Sequence, residues 1–195
     1  MFAICVESSH TKGMGHFFRM LNFIEFLDTK KEKSIVFINN APIALSILKQ
    51  KNINFEVVNF SDTETNWEQK LIKKFNIKIW VNDRLYTDII HSKNISDNKI
   101  ILITFDDRGS GADLADINFG GLEFENLTNL KGKKVITGIK YLILNQEIDK
   151  YKRIRKTQDN ILVTMGGSDT YGVTIKVLKI LKSLGRTATV ITGPS

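Results

Sequence analysis

The chain has 195 residues, 42% of them apolar and 25% charged, with a net charge of +7. That is the make-up of an ordinary soluble globular protein of one domain or slightly more. No run approaches the roughly 20 apolar residues needed to cross a bilayer, so we expect no membrane insertion and read a cytoplasmic protein.

The elements follow in chain order as short apolar runs alternating with helical patterns. Phe2 to Val6, Ser34 to Ile38, Asn54 to Val58, Ile77 to Val81 and Lys99 to Phe105 are rich in β-branched or aromatic residues and predict strands of a parallel sheet. Between them, Phe17 to Leu27 carries Phe17, Leu21, Ile24 and Phe26 near helical spacing. Ile43 to Lys51 and Trp67 to Phe75 are the second and third helices. The single cysteine, Cys5, lies in the first strand, where a buried thiol is expected and neither a disulfide nor a cysteine metal cluster can form.

After the fifth strand come Asp106, Asp107 and a glycine-rich turn, then Ala112 to Phe119, Lys133 to Thr137 and a polar helix around Asn145 to Lys156. We place the end of a first domain at residue 157. From 158 to 195 a second α/β unit begins: strand Ile161 to Met165, loop Gly166 to Asp169, helix Tyr171 to Leu184 and strand Thr187 to Thr192. This stretch is below the roughly 40 residues at which a domain buries a core alone. We therefore expect the incomplete beginning of a domain, the alternative being a unit that packs onto the first domain or a partner chain.

The lysines cluster at Lys30, Lys31 and Lys33, at Lys131, Lys133 and Lys134, and from Lys150 to Lys156, between the apolar runs. Such clusters are solvated faces, and without interleaved aromatics they predict no nucleic-acid partner.

Gly13 and Gly15 sit between the first strand and the first helix. Glycine there lets the backbone turn sharply and a ligand approach without a Cβ in the way, and the helix start offers unpaired N–H groups to negative charge. Phe18 stands where a dinucleotide fingerprint needs its third glycine, and no Walker-type Gly-Lys-Ser/Thr occurs, so no nucleotide cofactor is expected. His16 lies in the first helical turn, where the positive helix end disfavours imidazolium and leaves a ring able to accept a proton. Arg19 shares that side of the helix and is expected to pair with a phosphate or with a carboxylate such as Glu7. His10 and His91 show no comparable setting and are read as solvated. Asp83, Asp106 and Asp107 each follow a strand, at the edge where ligands of open α/β sheets bind.

Four motifs in order carry a resemblance. Gly13-Met14-Gly15-His16-Phe17-Phe18-Arg19, Thr104-Phe105-Asp106-Asp107-Arg108-Gly109, Gly138 to Leu144 and Ile161 to Asp169 together resemble the bacterial UDP-sugar hydrolases of pseudaminic acid synthesis and their spore-coat polysaccharide relatives, which are similar in fold to the GT-B glycosyltransferases. The resemblance implies a Rossmann-like catalytic amino-terminal domain and a second domain that grips the nucleotide. It implies His16 as a base for inverting attack at the anomeric carbon, with loss of UDP and without a metal. The catalytic candidates are then His16, Glu7 and Asp107. Candidates for substrate contact are Gly13, Gly15, Arg19, Asp83 and Asp106, with Gly166, Gly167, Ser168 and Asp169 beside the diphosphate; Ser168 or Asp169 is also the natural cap of the following helix.

The departures bear on the substrate. Cys5 and Glu7 occupy positions where the hydrolases carry an arginine and an aspartate, and an Asp-His-Tyr stretch reads Asp83-Arg84-Leu85. Phe105 to Ala115 looks closer to the spore-coat branch. A hydrolase or a glycosyltransferase of surface-polysaccharide or nonulosonic acid synthesis is expected, with a UDP-sugar as partner. The alternative is a truncated, non-catalytic nucleotide-sugar binder or partner subunit.

Overall fold

Phe2–Val6 (β1) is apolar throughout because strands flank it on both sides: Ser34–Ile38 (β2) and Ile79–Asp83 (β4) pair with it in parallel, from Phe2 opposite Ser34 and Ile79 to Val6 opposite Ile38 and Asp83. The computed structural model describes residues 1–9, 14–121, 130–154, 156–157, 160–166, 169 and 171–192. It divides into two compact units, Met1–Ser8 with His16–Leu144, and Ser9–Gly15 with Asn145–Ser195.

The first unit holds a seven-stranded parallel sheet in the order β3-β2-β1-β4-β5-β6-β7, where β3 is Phe55–Val57, β5 Ile101–Phe105, β6 Ile117–Gly120 and β7 Val135–Thr137. The chain runs outward through β2 and β3, then returns to β4 on the other side of β1. The strand order therefore reverses between β1 and β4, the place where open α/β sheets leave a crevice at their carboxyl ends.

Helix Gly15–Thr29 (α1) buries Phe17, Met20, Leu21, Ile24 and Leu27, a three-and-four spacing that makes one apolar stripe. Phe26, included in the expected stripe, instead faces solvent under the Lys30 ammonium. Phe23 of α1 meets Phe2 edge-on at 6.4 Å, which puts α1 on the sheet face shared by Phe2, Ile4 and Val6. The opposite face carries Ala3, Cys5, Phe37, Trp80 and Leu102. It is covered by Ile72 of Trp67–Phe75 (α3) and Ile95 of Ile89–Ser96 (α4); Pro42–Gln50 (α2) joins β2 to β3 in the chain. Cys5 is the buried strand thiol expected, and burial pushes it up to about 12.

A 3₁₀ helix, Ser110–Leu114, follows β5. A Cβ on Gly109, just before it, would run into the main chain of Thr87, so this close approach of two loops requires glycine. Asn118, buried in β6, donates both to the Asp107 carbonyl (2.9 Å) and to the Lys131 carbonyl (2.8 Å), tying two loops to one strand.

The second unit contains Ile148–Tyr151 (α5), Leu162–Thr164 (β8), Val173–Ser183 (α6) and Thr189–Ile191 (β9), with β8 and β9 parallel. The polar helix expected over Asn145 to Lys156 is thus a single turn, since its lysines and acids supply no face to bury. Asp169 caps α6, accepting from the Val173 (2.8 Å) and Thr174 (3.1 Å) N–H groups, and hydrogen bonds from Thr174 help hold its carboxyl below the usual range.

Candidate functional site

Three elements meet at the strand-order reversal. α1 brings His16 and Arg19, three residues apart, to one face, β4 ends in Asp83, and Asp106 follows β5. Asp83 is wholly buried, whereas His16 and Arg19 keep 23% and 18% of their side chains exposed. His16 Nδ1 lies 2.6 Å from Asp83 Oδ1. Arg19 grips the same carboxylate in a fork, Nε to Oδ2 at 2.7 Å and Nη2 to Oδ1 at 2.5 Å, and its Nη1 donates to Asp106 Oδ2 at 2.6 Å.

Arg19 Nη2 is also 3.2 Å from His16 Nδ1, but a guanidinium only donates. The shorter contact to the carboxylate decides the pairing: Nδ1 carries the hydrogen and donates to Asp83, which leaves Nε2 as the ring's acceptor. Burial works against the Arg19 charge, yet the hydrogen bonds and charges of Asp83 and then Asp106 outweigh it and raise its proton affinity above the ordinary arginine range.

Asp106 is held by its own backbone. It sits in the left-handed region at φ 51°, which aspartate tolerates better than most residues, donates its N–H to the Phe119 carbonyl and accepts from Gly121 N–H at 3.1 Å. Phe105 lies beneath the Arg19 guanidinium at 5.3 Å.

The other sequence candidates are placed differently. Arg19 pairs with Asp83 and Asp106 and not with Glu7, whose Oε2 lies 4.0 Å from Arg84 Nε. Asp107, grouped with His16 on sequence, is fully buried and makes its hydrogen bonds elsewhere: Oδ1 accepts from Thr87 N–H (3.0 Å) and Gly109 N–H (2.9 Å), bracketing the loops after β4 and β5. A Cβ on Gly15 would meet open space, and so would one on Gly166, where φ is 74°. Gly13, Gly167, Ser168 and His10 lie outside the described residues.

His91 corrects its expected place in solvent. It is buried in α4, with Nδ1 2.8 Å from Glu68 Oε1 and Nε2 3.3 Å from Asn82 Oδ1, while Asn94 donates to Glu68 Oε2. Trp80 Nε1 donates to the same Asn82 oxygen at 2.9 Å. This polar chain runs beneath Asp83, next to Asn82 on β4. Its polarity made α4 look solvated, because a buried His–Glu hydrogen bond and a surface pair read alike in sequence.

Burial pulls His91 below the ordinary value of 6.5, against the opposing pull of Glu68; Arg84 also lowers it and Asp107 raises it. Below 6.5 the unfolded chain binds a proton that the folded one refuses, so the His91 contribution is complete above 6.5 and is lost as pH falls toward the folded value. Urea unfolding on both sides of that window is expected to show a smaller loss for His91→Gln than for the parent. An equal loss would rule His91 out as the source.

Among the described residues no helix is long and apolar enough to cross a membrane, and no three His, Cys, Asp or Glu side chains converge as they would around a metal ion.

No family model matches the chain. An uncharacterized protein of Methanocaldococcus jannaschii is 31% identical over an alignment of 207 residues, which takes in 98% of this chain and 42% of that protein. The chain thus spans less than half the length of the curated relative it matches. Among solved structures, a glycosyltransferase from Rickettsia africae superposes with a TM-score of 0.64 at 11% identity, covering 100% of this chain and 68% of that one. MurG of Acinetobacter baumannii gives 0.61 at 13% identity, covering 98% and 59%. The fold is of the GT-B type. Anabaena HepE, solved with UDP and glucose, shares this GT-B fold at a TM-score of 0.59 and 10% identity, covering 100% of this chain and 70% of its own. In the GT-B frame the first unit is the Rossmann-like half domain, and His16, Asp83, Arg19 and Asp106 lie at the carboxyl edge of its sheet.

Proposed function

We propose that this chain belongs to an enzyme acting on a nucleotide-activated sugar, with His16 as the base. The observation that carries the reading is the 2.6 Å contact between His16 Nδ1 and a buried carboxylate locked by a two-pronged arginine. A histidine oriented in this way presents Nε2 to the ligand side, and the carboxylate compensates the positive charge that arises when the ring takes up a proton.

In the reaction Nε2 removes the proton of an attacking oxygen, that oxygen forms a bond to the anomeric carbon, and the bond from that carbon to the diphosphate breaks with its electron pair leaving on UDP. Water as the attacker gives hydrolysis; a sugar hydroxyl gives transfer. One base serves both. Asp106 assists by fixing Arg19, and Gly15 leaves room for the ligand at the start of α1. The fold shared with a UDP- and glucose-bound protein supports the nucleotide-sugar class. The loop Gly166 to Asp169, whose last residue caps α6, is assigned to the nucleotide side, and a bacterial surface-polysaccharide or nonulosonic acid pathway in the cytoplasm is the setting we infer.

Product analysis with a panel of UDP-sugars, with and without saccharide acceptors, tests the proposal. UDP released with free sugar identifies a hydrolase, and a new glycosidic bond a transferase. Binding of UDP-sugars without turnover, or turnover unchanged in His16→Ala, would overturn the assigned role of His16.

A further inference from the structure

The sheet face turned toward α4 becomes polar along one cross-strand row. Asn82 of β4 lies opposite Thr104 of β5, and Thr104 opposite Asn118 of β6, on the face that carries Trp80 and Leu102. All three side chains are fully buried. Asn82 leans away, its oxygen accepting from Trp80 Nε1. Thr104 Oγ1 and Asn118 Oδ1, by contrast, have no hydrogen-bond partner among the described residues.

Two more orphaned atoms belong to the same corner. Asn118 Nδ2 donates to the Asp107 carbonyl, and the buried Asp107 side chain spends Oδ1 on Thr87 N–H and Gly109 N–H while Oδ2 has no partner. The Thr87 carbonyl in turn accepts from Gly111 N–H. Ser92 of α4 approaches Gly111 so closely that a Cβ there would strike its Oγ, and that hydroxyl, fully enclosed, is also unpartnered. Buried polar groups in native proteins are hydrogen-bonded, and an ordered water serves where no protein group reaches.

We propose that Thr104, Asp107, Asn118 and Ser92 enclose an internal water site. The chemistry of the four atoms selects the ligand. Asp107 Oδ2 and Asn118 Oδ1 only accept, and both hydrogens of Asn118 Nδ2 are committed to the Asp107 and Lys131 carbonyls. The Thr104 and Ser92 hydroxyls each have a hydrogen to donate. One water meets all four, giving its two hydrogens to the acceptors and taking the hydroxyl hydrogens on its lone pairs. A bare cation would suit the oxygens but leave both hydroxyl hydrogens buried without an acceptor, and an anion would be repelled by Asp107. The water braces, through Asp107, the turn whose preceding residue, Asp106, fixes Arg19. It is a structural ligand, and the inference stands whether or not the nucleotide-sugar reading does.

Thr104→Val tests this by the sign of its effect, since valine keeps the shape and β-branching of threonine and removes only the hydroxyl's hydrogen bonding. If Thr104 Oγ1 holds a water, the variant lowers the ratio of folded to unfolded chain by about tenfold, read as a lower urea midpoint. If the hydroxyl is buried and unmet, its removal relieves a cost and the midpoint rises. A high-resolution crystal structure of the parent protein supplies a reading that needs no variant: a water is expected within hydrogen-bond distance of Asp107 Oδ2 and Thr104 Oγ1. A raised or unmoved midpoint in Thr104→Val, or protein groups bonded to those two oxygens in place of water, would overturn the site. So would a midpoint of the parent that differs between sodium and potassium at one ionic strength, which would put a cation there.

Discussion

Asp83→Asn is expected to leave the protein folded and to lower nucleotide-sugar turnover by about ten-thousand-fold, the scale of loss when the carboxylate behind a catalytic histidine becomes an amide. Asp83 accepts from three directions: His16 Nδ1, Arg19 Nη2 and Arg19 Nε. An asparagine has one accepting oxygen, and whichever way it turns, its NH₂ group faces a donor. With the oxygen kept by Arg19, the amide donates to His16 Nδ1, the ring hydrogen moves to Nε2, and the base is lost. Steady-state kinetics with circular dichroism as the control of folding would measure this, and ¹⁵N shifts of the His16 ring would report the tautomer. A variant that kept most of its turnover would show that Asp83 does not set the state of His16.

Arg19→Met should be the most destabilising change in the site, by about 3–5 kcal/mol, because it strands a buried carboxylate without its partner. The methionine stem still covers Phe105, so the loss isolates the charge and not the packing. Combining it with Asp83→Asn is expected to recover part of the stability, since the group left behind is then neutral. Urea unfolding of both single variants and the double completes the cycle. A cost below about 1 kcal/mol would mean that the fork behaves as a surface ion pair.

The residues that form the sheet were legible because each carries its own signal. β1, β2 and β5 are apolar runs, and α3 falls at the predicted Trp67–Phe75. α4 was missed because its eight residues include His91, Ser92, Lys93, Asn94 and Ser96; its start is marked only by Asp88, whose side chain caps the Ile90 N–H. The site was half legible. His16 and Arg19 stand out within one helical turn, but Asp83 lies 67 positions from His16, and Asp106 lies 87 from Arg19. Nothing local distinguishes Asp106 from Asp107. The difference arises when the first turns its backbone into the left-handed region and reaches Arg19, while the second is enclosed by Thr87 and Gly109. Only strand register, with Val6 opposite Asp83, brings the end of β4 alongside the end of β1.

The double grip on Arg19 bears on where an anion would settle. Its one positive charge faces two carboxylates, Asp83 and Asp106, so this corner of the sheet edge holds a surplus of negative charge and not the anion cradle that an arginine beside a helix start suggests. A phosphate is therefore not expected to dock on Arg19, whose donors are already spent on the two carboxylates.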